Sequence, residues 1–340
     1  MKRMEQPPRH FIASDEEALI SLLGKEKLID LLKKMLMIRQ VETRAEAAYL
    51  QGKIGGFFHS YIGQEAIQLA CVEALGVEHW YTTTYRVHAL ALLLGVTPRE
   101  LMAELFGRAN GNALGRGGSM HLYADRLLGG FGIVGSQVPI AMGAAFSLRY
   151  QKEKDKISIC FLGDGAVAQG AFHEALNIAS LWNLPCLVVI ENNLWGMGTP
   201  IEKAVCVSRL AEDIAPSYNM KGYSFDGMDF FNCYAGFKKV YLEMLETQRP
   251  ILVECVTERF KGHSISDPAL YRSKEQLKAS QQRDPLLLMK QSLIKAGFIT
   301  EEQYKAFEKE QRGIAVDAVD FADNSPWPEL SSLEKGVYAK

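Results

Sequence analysis

The 340-residue sequence lacks several features that would settle its class at once. No apolar run is long enough to cross a bilayer. The net charge of −2 gives no basic balance suited to nucleic acid or an acidic membrane surface. The six cysteines (Cys71, Cys160, Cys186, Cys206, Cys233 and Cys255) are widely spaced and form no CxxC pair. That pattern argues against a disulfide framework or a zinc site, and for reduced thiols in a cytoplasmic protein. Lys2, Arg3 and Arg9 open the chain, but no apolar segment follows them and acids stand at Asp15, Glu16 and Glu17. Neither a signal peptide nor a good transit peptide has that form. There is no internal repeat, low-complexity tract or linker.

What is present is apolar substance: 48% of residues are hydrophobic. The length suits one large α/β domain with extensions, or two small domains. The most informative stretch is 157–193. Ile157 to Leu162 is a short apolar run closed by Gly163-Asp164-Gly165, and it reads as a buried strand and turn. Ala171 to Trp182 reads as a helix. Pro185 breaks it, and Cys186 to Ile190 is a second strand. A βαβ unit makes both strands parallel. It sets Asp164 and Asn193 just past their carboxyl ends, where open α/β sheets bind ligands. One hard anionic oxygen, one neutral oxygen and glycines that admit a close anion suit Mg²⁺ held together with a diphosphate.

Elsewhere the pattern is mixed. Ser14-Asp15-Glu16-Glu17 reads as a capping box, and the Leu/Met spacing predicts a long helix from Lys25 to Leu50. The expected division is a helical arm over 1–50 and an α/β domain with a helical tail over 51–340. Gln51 to Gln64 is a glycine-punctuated loop holding His59. Gln64 to Leu75 reads as a helix. Trp80 to Arg86 is β-rich and ends in Tyr85-Arg86, where a guanidinium could pair with phosphate. Gly107 to Gly135 holds nine glycines. Its GFGIVG matches a dinucleotide-binding GxGxxG, but ADRLLGG before it does not read as a strand, so the nicotinamide reading stays a weaker alternative. Phe225 to Asp229 is another strand-end turn, Phe237 to Leu245 a helix, and Pro250 to Thr257 a strand from which Arg259, His263 and Ser264 hang. The tail is helical, with a cap at Thr300.

Two resemblances follow from these motifs. GDG, 26 intervening residues and Asn192-Asn193 resemble the fingerprint of thiamine-diphosphate enzymes. From Gln51 to Arg272, the stretches GRGGSMHLYA, GGFGIVGSQVP, GDGAVAQGAFHEALN, LWNLP, ENNLWGMGT, DGMD and RFKGHSISDP resemble the alpha subunit of the decarboxylating first component of pyruvate dehydrogenase complexes. Branched-chain 2-oxo acid and acetoin dehydrogenases are relatives and remain alternatives; GMGT and DGMD favour the pyruvate branch.

The resemblance implies a three-layer α/β/α sandwich around a mostly parallel sheet, with thiamine diphosphate and Mg²⁺ as cofactors. Asp164, Asn193 and the carbonyl of Trp195 are implied as metal ligands; many relatives have tyrosine at position 195. Tyr85, Arg86, His263, Gly165 and Ala166 are implied at the diphosphate. Gly132, Val134 and Ala124 are implied at the aminopyrimidine, and His59 is implied to face the substrate. The implied reaction is oxidative decarboxylation of pyruvate with reductive acetylation of the lipoyl group of dihydrolipoyl acetyltransferase. The implied assembly is a heterotetramer, two alpha chains with two beta chains. Some relatives are phosphorylated at the position of Ser264. Pro200 stands at a second such site and the serine before Tyr271 is missing, which weakens the case for kinase control here.

Overall fold

The computed structural model describes residues 10–335 and 337. The basic cluster Lys2, Arg3 and Arg9, and with it the start of the expected arm, lies outside the described residues.

Six parallel strands form the central sheet: β1 (Trp80–Thr84), β2 (Leu127–Phe131), β3 (Ser158–Gly163), β4 (Cys186–Asn192), β7 (Lys221–Asp226) and β8 (Ile251–Val256). Their order is β2-β1-β3-β4-β8-β7. A small antiparallel hairpin, β5 (Trp195–Gly196) with β6 (Thr199–Pro200), stands apart from it. Alternation along the strands builds two cores. Ile159, Phe161, Leu187, Val189 and Val253 face one side with the helices Lys25–Leu50, Glu65–Leu75 and Phe230–Thr247. Cys160, Leu162, Val188 and Ile190 face the other, against Gln137–Gln151 and Gly170–Leu181. This is the three-layer α/β/α sandwich the resemblance implies. No described helix is long and apolar enough to cross a membrane.

The helix Lys25–Leu50 has its expected bounds, and Leu28, Leu31, Leu32, Met35 and Ile38 are buried in the first core. Three expectations need correction. The cap before it is Asp15, not Ser14: its carboxylate accepts from the Ala18 amide, and the helix is Glu16–Leu23. The helix predicted from Phe237 starts earlier, at Phe230, because Asp229 caps it through the Phe231 and Asn232 amides. LLGGF is a strand after all, β2, paired in parallel with β1 at the sheet edge. GFGIVG therefore does follow from a strand.

A buried ion cluster fastens the first layer. Arg39 forks onto Glu65, which is fully buried, with Nη2 donating at 3.0 Å. Nη1 and Nη2 also donate to Asp284, at 2.9 and 3.0 Å. Arg39→Met should destabilise the protein by ~3–5 kcal/mol, because Glu65 would be left as a buried charge without its cation. A urea midpoint unchanged by the substitution would show that the cluster is dispensable.

Candidate functional site

All six strands of the sheet are parallel, so their carboxyl ends share one edge. The chain runs from β1 outward to β2, then returns past β1 to β3. That reversal opens a crevice at the carboxyl ends of β1 and β3, the place where open α/β sheets hold ligands. Tyr85 and Arg86 leave β1 there, and Asp164 leaves β3. Asn193 leaves β4 next door, and Arg259 and His263 follow β8.

Among the described residues, two oxygens in this crevice have no partner. Asp164 Oδ2 and Asn193 Oδ1 are buried and accept no hydrogen bond. The Asn193 amide is held by Gln64, whose Oε1 accepts from Nδ2 at 3.0 Å, and this leaves Oδ1 free. Burial pushes the Asp164 carboxyl up to about 6, against the pull of backbone amides and Arg259. Orphaned buried oxygens are rare and costly, so a hard cation between them would relieve a real deficit. Trp195 is close by: a Cβ on Gly165 would lie 3.1 Å from Gly196 Cα. Its indole lies against Tyr271, ring centroids 5.0 Å apart. Leu194 and Met197 hold positive φ values of 69° and 55°, so this hairpin carries backbone strain beside the site.

The second feature is positive charge. Arg86 is buried and donates to the carbonyls of Ser60 and His263, each at 2.6 Å. Arg259 is 1% exposed and donates at 2.6 Å to the Met197 carbonyl and the Tyr271 hydroxyl, while its Nε has no partner. Neutral acceptors do not cancel two buried guanidinium charges, so the crevice favours an anion. The same field acts on the histidines. Burial first, then Arg86, lowers His59 to about 3. Burial, Arg86 and Arg259 lower His263 to about 4. Both rings are neutral at pH 7. They stand edge to face with centroids 5.1 Å apart, and Tyr85 lies 4.3 Å from His59. His59 Nδ1 is buried without a partner.

Of the residues singled out from sequence, His59, Tyr85, Arg86 and His263 form one cluster, and Asp164, Gly165, Asn193 and Trp195 another. Ala166 joins the second: a Cβ on Gly135 would lie 3.9 Å from its carbonyl. Thus the loop of Gly132 and Val134 closes on the Asp164 turn. Ala124 lies just before β2, joined to Leu127 by an isolated antiparallel bridge. Sequence reasoning missed Gln64, which aims Asn193, and Tyr271 and Asp267. Asp267 Oδ2 accepts from the Tyr271 hydroxyl and the His263 amide at 2.6 Å each, fixing the loop that carries His263. Asp267 stands within the RFKGHSISDP stretch, but its role, like those of Gln64 and Tyr271, shows only in the folded loop.

The sequence profile described as "Dehydrogenase E1 component" matches residues 33–331. A pyruvate dehydrogenase E1 component subunit alpha of Rickettsia conorii is 42% identical over 317 residues, 92% of this chain and 96% of its own length. One from Rhizobium meliloti is 39% identical, over 92% and 90% of the two chains. A chloroplastic subunit alpha-3 from Oryza sativa is 36% identical, over 96% and 79%. With a profile spanning residues 33–331 and bacterial relatives covered over 90% or more of their length, the chain belongs to the dehydrogenase E1 component family.

Proposed function

We propose that this chain is the alpha subunit of a thiamine-diphosphate-dependent pyruvate dehydrogenase, working with a beta subunit and passing an acetyl unit to the lipoyl group of dihydrolipoyl acetyltransferase. The observation that carries the reading is the pair of partnerless oxygens, Asp164 Oδ2 and Asn193 Oδ1, in a crevice lined by two buried guanidinium groups. A metal diphosphate satisfies both at once.

On this reading Asp164, Asn193 and the Trp195 carbonyl hold Mg²⁺. Arg86, Tyr85 and His263, with the backbone at Gly165 and Ala166, hold the diphosphate. The backbone at Gly132 and Val134, with Ala124, lines the aminopyrimidine. When bound, thiamine diphosphate supplies the electron sink for loss of CO₂ from a 2-oxo acid. The chain's own part is to orient, to exclude water and to manage protons. Neutral His59, with Nδ1 open, can hydrogen-bond a substrate carboxylate or hydroxyl group, as donor or acceptor according to its tautomer. Arg86 ties the His59 loop to the His263 loop, so both rings are set by one side chain.

Assays of the assembled enzyme with pyruvate, 2-oxobutyrate and a branched 2-oxo acid test the substrate. Pyruvate should exceed the branched acid by ~10–200-fold in kcat/KM, the range a shaped pocket achieves. A preference for the branched acid would move the chain to the branched-chain reading.

His59→Ala and His263→Ala should fold normally and lose turnover by ~10²–10⁴-fold. Early melting of either variant, or near-normal activity of both, would make the histidines structural. Because both values are lowered, neither ring of the cofactor-free protein should take up a proton between pH 5 and 8. A ring-proton NMR titration with a midpoint near the ordinary ~6.5 at either position would contradict the field described above.

A further inference from the structure

The glycine-rich segment that follows the helix Pro98–Leu105 has no regular structure, yet it is built around one side chain. Glu104 is fully buried. Its Oε2 accepts from the amides of Ala113 and Gly115 at 2.8 and 2.9 Å. Its Oε1 accepts from the amides of Gly117 and Gly118 at 2.6 and 3.2 Å. Gly115 and Gly118 hold φ values of 78° and 58°, the left-handed turns that point successive amides to one side. Such a concave row of N–H groups is an anion nest, and here the protein's own carboxylate fills it. The wrap is too tight for side chains: a Cβ on Gly111 would lie 2.2 Å from Glu104 Oε2 and 2.5 Å from its Cα.

The far end of the wrapped segment meets the site. A Cβ on Gly117 would lie 2.0 Å from the His121 carbonyl, so the chain doubles back at once. His121 Nδ1 is 2.9 Å from the Gly130 carbonyl and donates to it. The His121 ring lies 3.6 Å from a Cβ placed on Gly132, and the Met120 carbonyl lies 2.4 Å from one placed on Gly130. The Gly130–Gly132 backbone therefore rests on the Met120–His121 turn, and that turn rests on the segment Glu104 holds.

We propose that Glu104 is a positioning residue: by filling the amide nest of residues 113–118 it sets the Met120–His121 turn, and through it the Gly132 loop, before cofactor or partner arrives. The proposal deepens the thiamine-diphosphate reading, on which the role of Gly132 rests. A charge suits the task because one carboxylate serves four donors with charge-assisted bonds.

The test uses the chain assembled with its beta subunit and freed of cofactor. In wild type the amides of 113, 115, 117 and 118 should be protected from hydrogen exchange. Glu104→Gln puts an NH₂ donor against amide donors, so half the nest is lost. Exchange over 111–121 should speed up by ~10-fold or more, and the Kd for thiamine diphosphate with Mg²⁺ should rise by ~10-fold, as for other outer-sphere changes, with kcat at saturating cofactor largely kept. Thr97→Ala removes the cap of the same helix and should lower stability without moving that Kd. Equal exchange or equal Kd in Glu104→Gln, or an equal Kd rise in Thr97→Ala, would overturn the proposal. Should Glu104→Gln not fold, unprotected amides in the cofactor-free wild type would overturn it alone. Failure of the wild type to bind thiamine diphosphate at all would instead sink the functional reading, and exchange would still decide the nest.

Discussion

Asp164→Ala should abolish Mg²⁺-dependent binding of thiamine diphosphate. The site offers one anionic oxygen and one amide oxygen, both buried and both without partners. Removing the anionic one leaves a neutral ligand that cannot compensate a divalent ion in a crevice already carrying Arg86 and Arg259. Loss of affinity should exceed the ~10–100-fold typical of changes outside the ligand set. Calorimetric titration of the assembled protein, with and without Mg²⁺, measures it; equal affinities for variant and wild type would remove Asp164 from the metal site. Stability should move the other way. Burial raises the folded-state value of Asp164 from 3.8 to about 6. The folded state then holds a proton that the unfolded state releases, so stability falls as pH rises across that window, and the full penalty is present above it. Asp164→Asn keeps the size and removes the penalty. At pH 8, without metal, it should melt no lower than wild type; a clear drop would mean the carboxylate serves the fold.

How much of this was legible in the sequence depended on how local the cause was. The βαβ unit from Ser158 to Asn192 is fixed by short apolar runs punctuated by glycine and proline, so its elements and the strand-end positions of Asp164 and Asn193 could be read directly. The helix Lys25–Leu50 was equally plain, because its buried stripe repeats from Leu28 to Ala48. β2 was hidden. Two glycines in LLGGF lower its strand propensity, and its order comes from pairing with β1. Gly130 is glycine for a tertiary reason, since a Cβ there would lie 2.8 Å from Val87 Cβ as well as against Met120. Glu104 reads as one more acid on an amphipathic helix, and nothing in its spacing announces the amides that converge on it. Gln64 was hidden for the same reason, acting on Asn193 across 129 positions, whereas Asp267 acts on His263 and Tyr271, each four positions away, through a loop conformation that no periodic pattern announces.

Expressed alone, the chain should bind cofactor weakly and decarboxylate nothing; expressed with a beta subunit, it should do both. Thiamine-dependent chemistry needs a carboxylate against the aminopyrimidine, at the end of the cofactor away from the metal. Each buried glutamate among the described residues already has at least one oxygen engaged. Glu42 holds the Tyr61 amide and His88, each at 3.0 Å. Glu65 pairs with Arg39, and Glu104 fills the amide nest. Glu191 accepts from the Tyr61 hydroxyl and from Gln68, with burial raising it to about 7. Glu254 accepts from Asn192 Nδ2 at 2.7 Å. Freeing any of these would leave buried donors or cations unpaired, a cost of ~1–3 kcal/mol or more each. Meanwhile the loop expected to meet the aminopyrimidine shows Ile133 77% and Val134 45% exposed, an apolar edge with nothing over it in the single chain. A second subunit that covers this edge and brings its own glutamate answers both deficits. Turnover of pyruvate with an artificial electron acceptor, measured beside the mass in solution, checks it. Sustained decarboxylation by the purified single chain would refute the requirement, and would mean that one of these five glutamates leaves its partners when the cofactor binds.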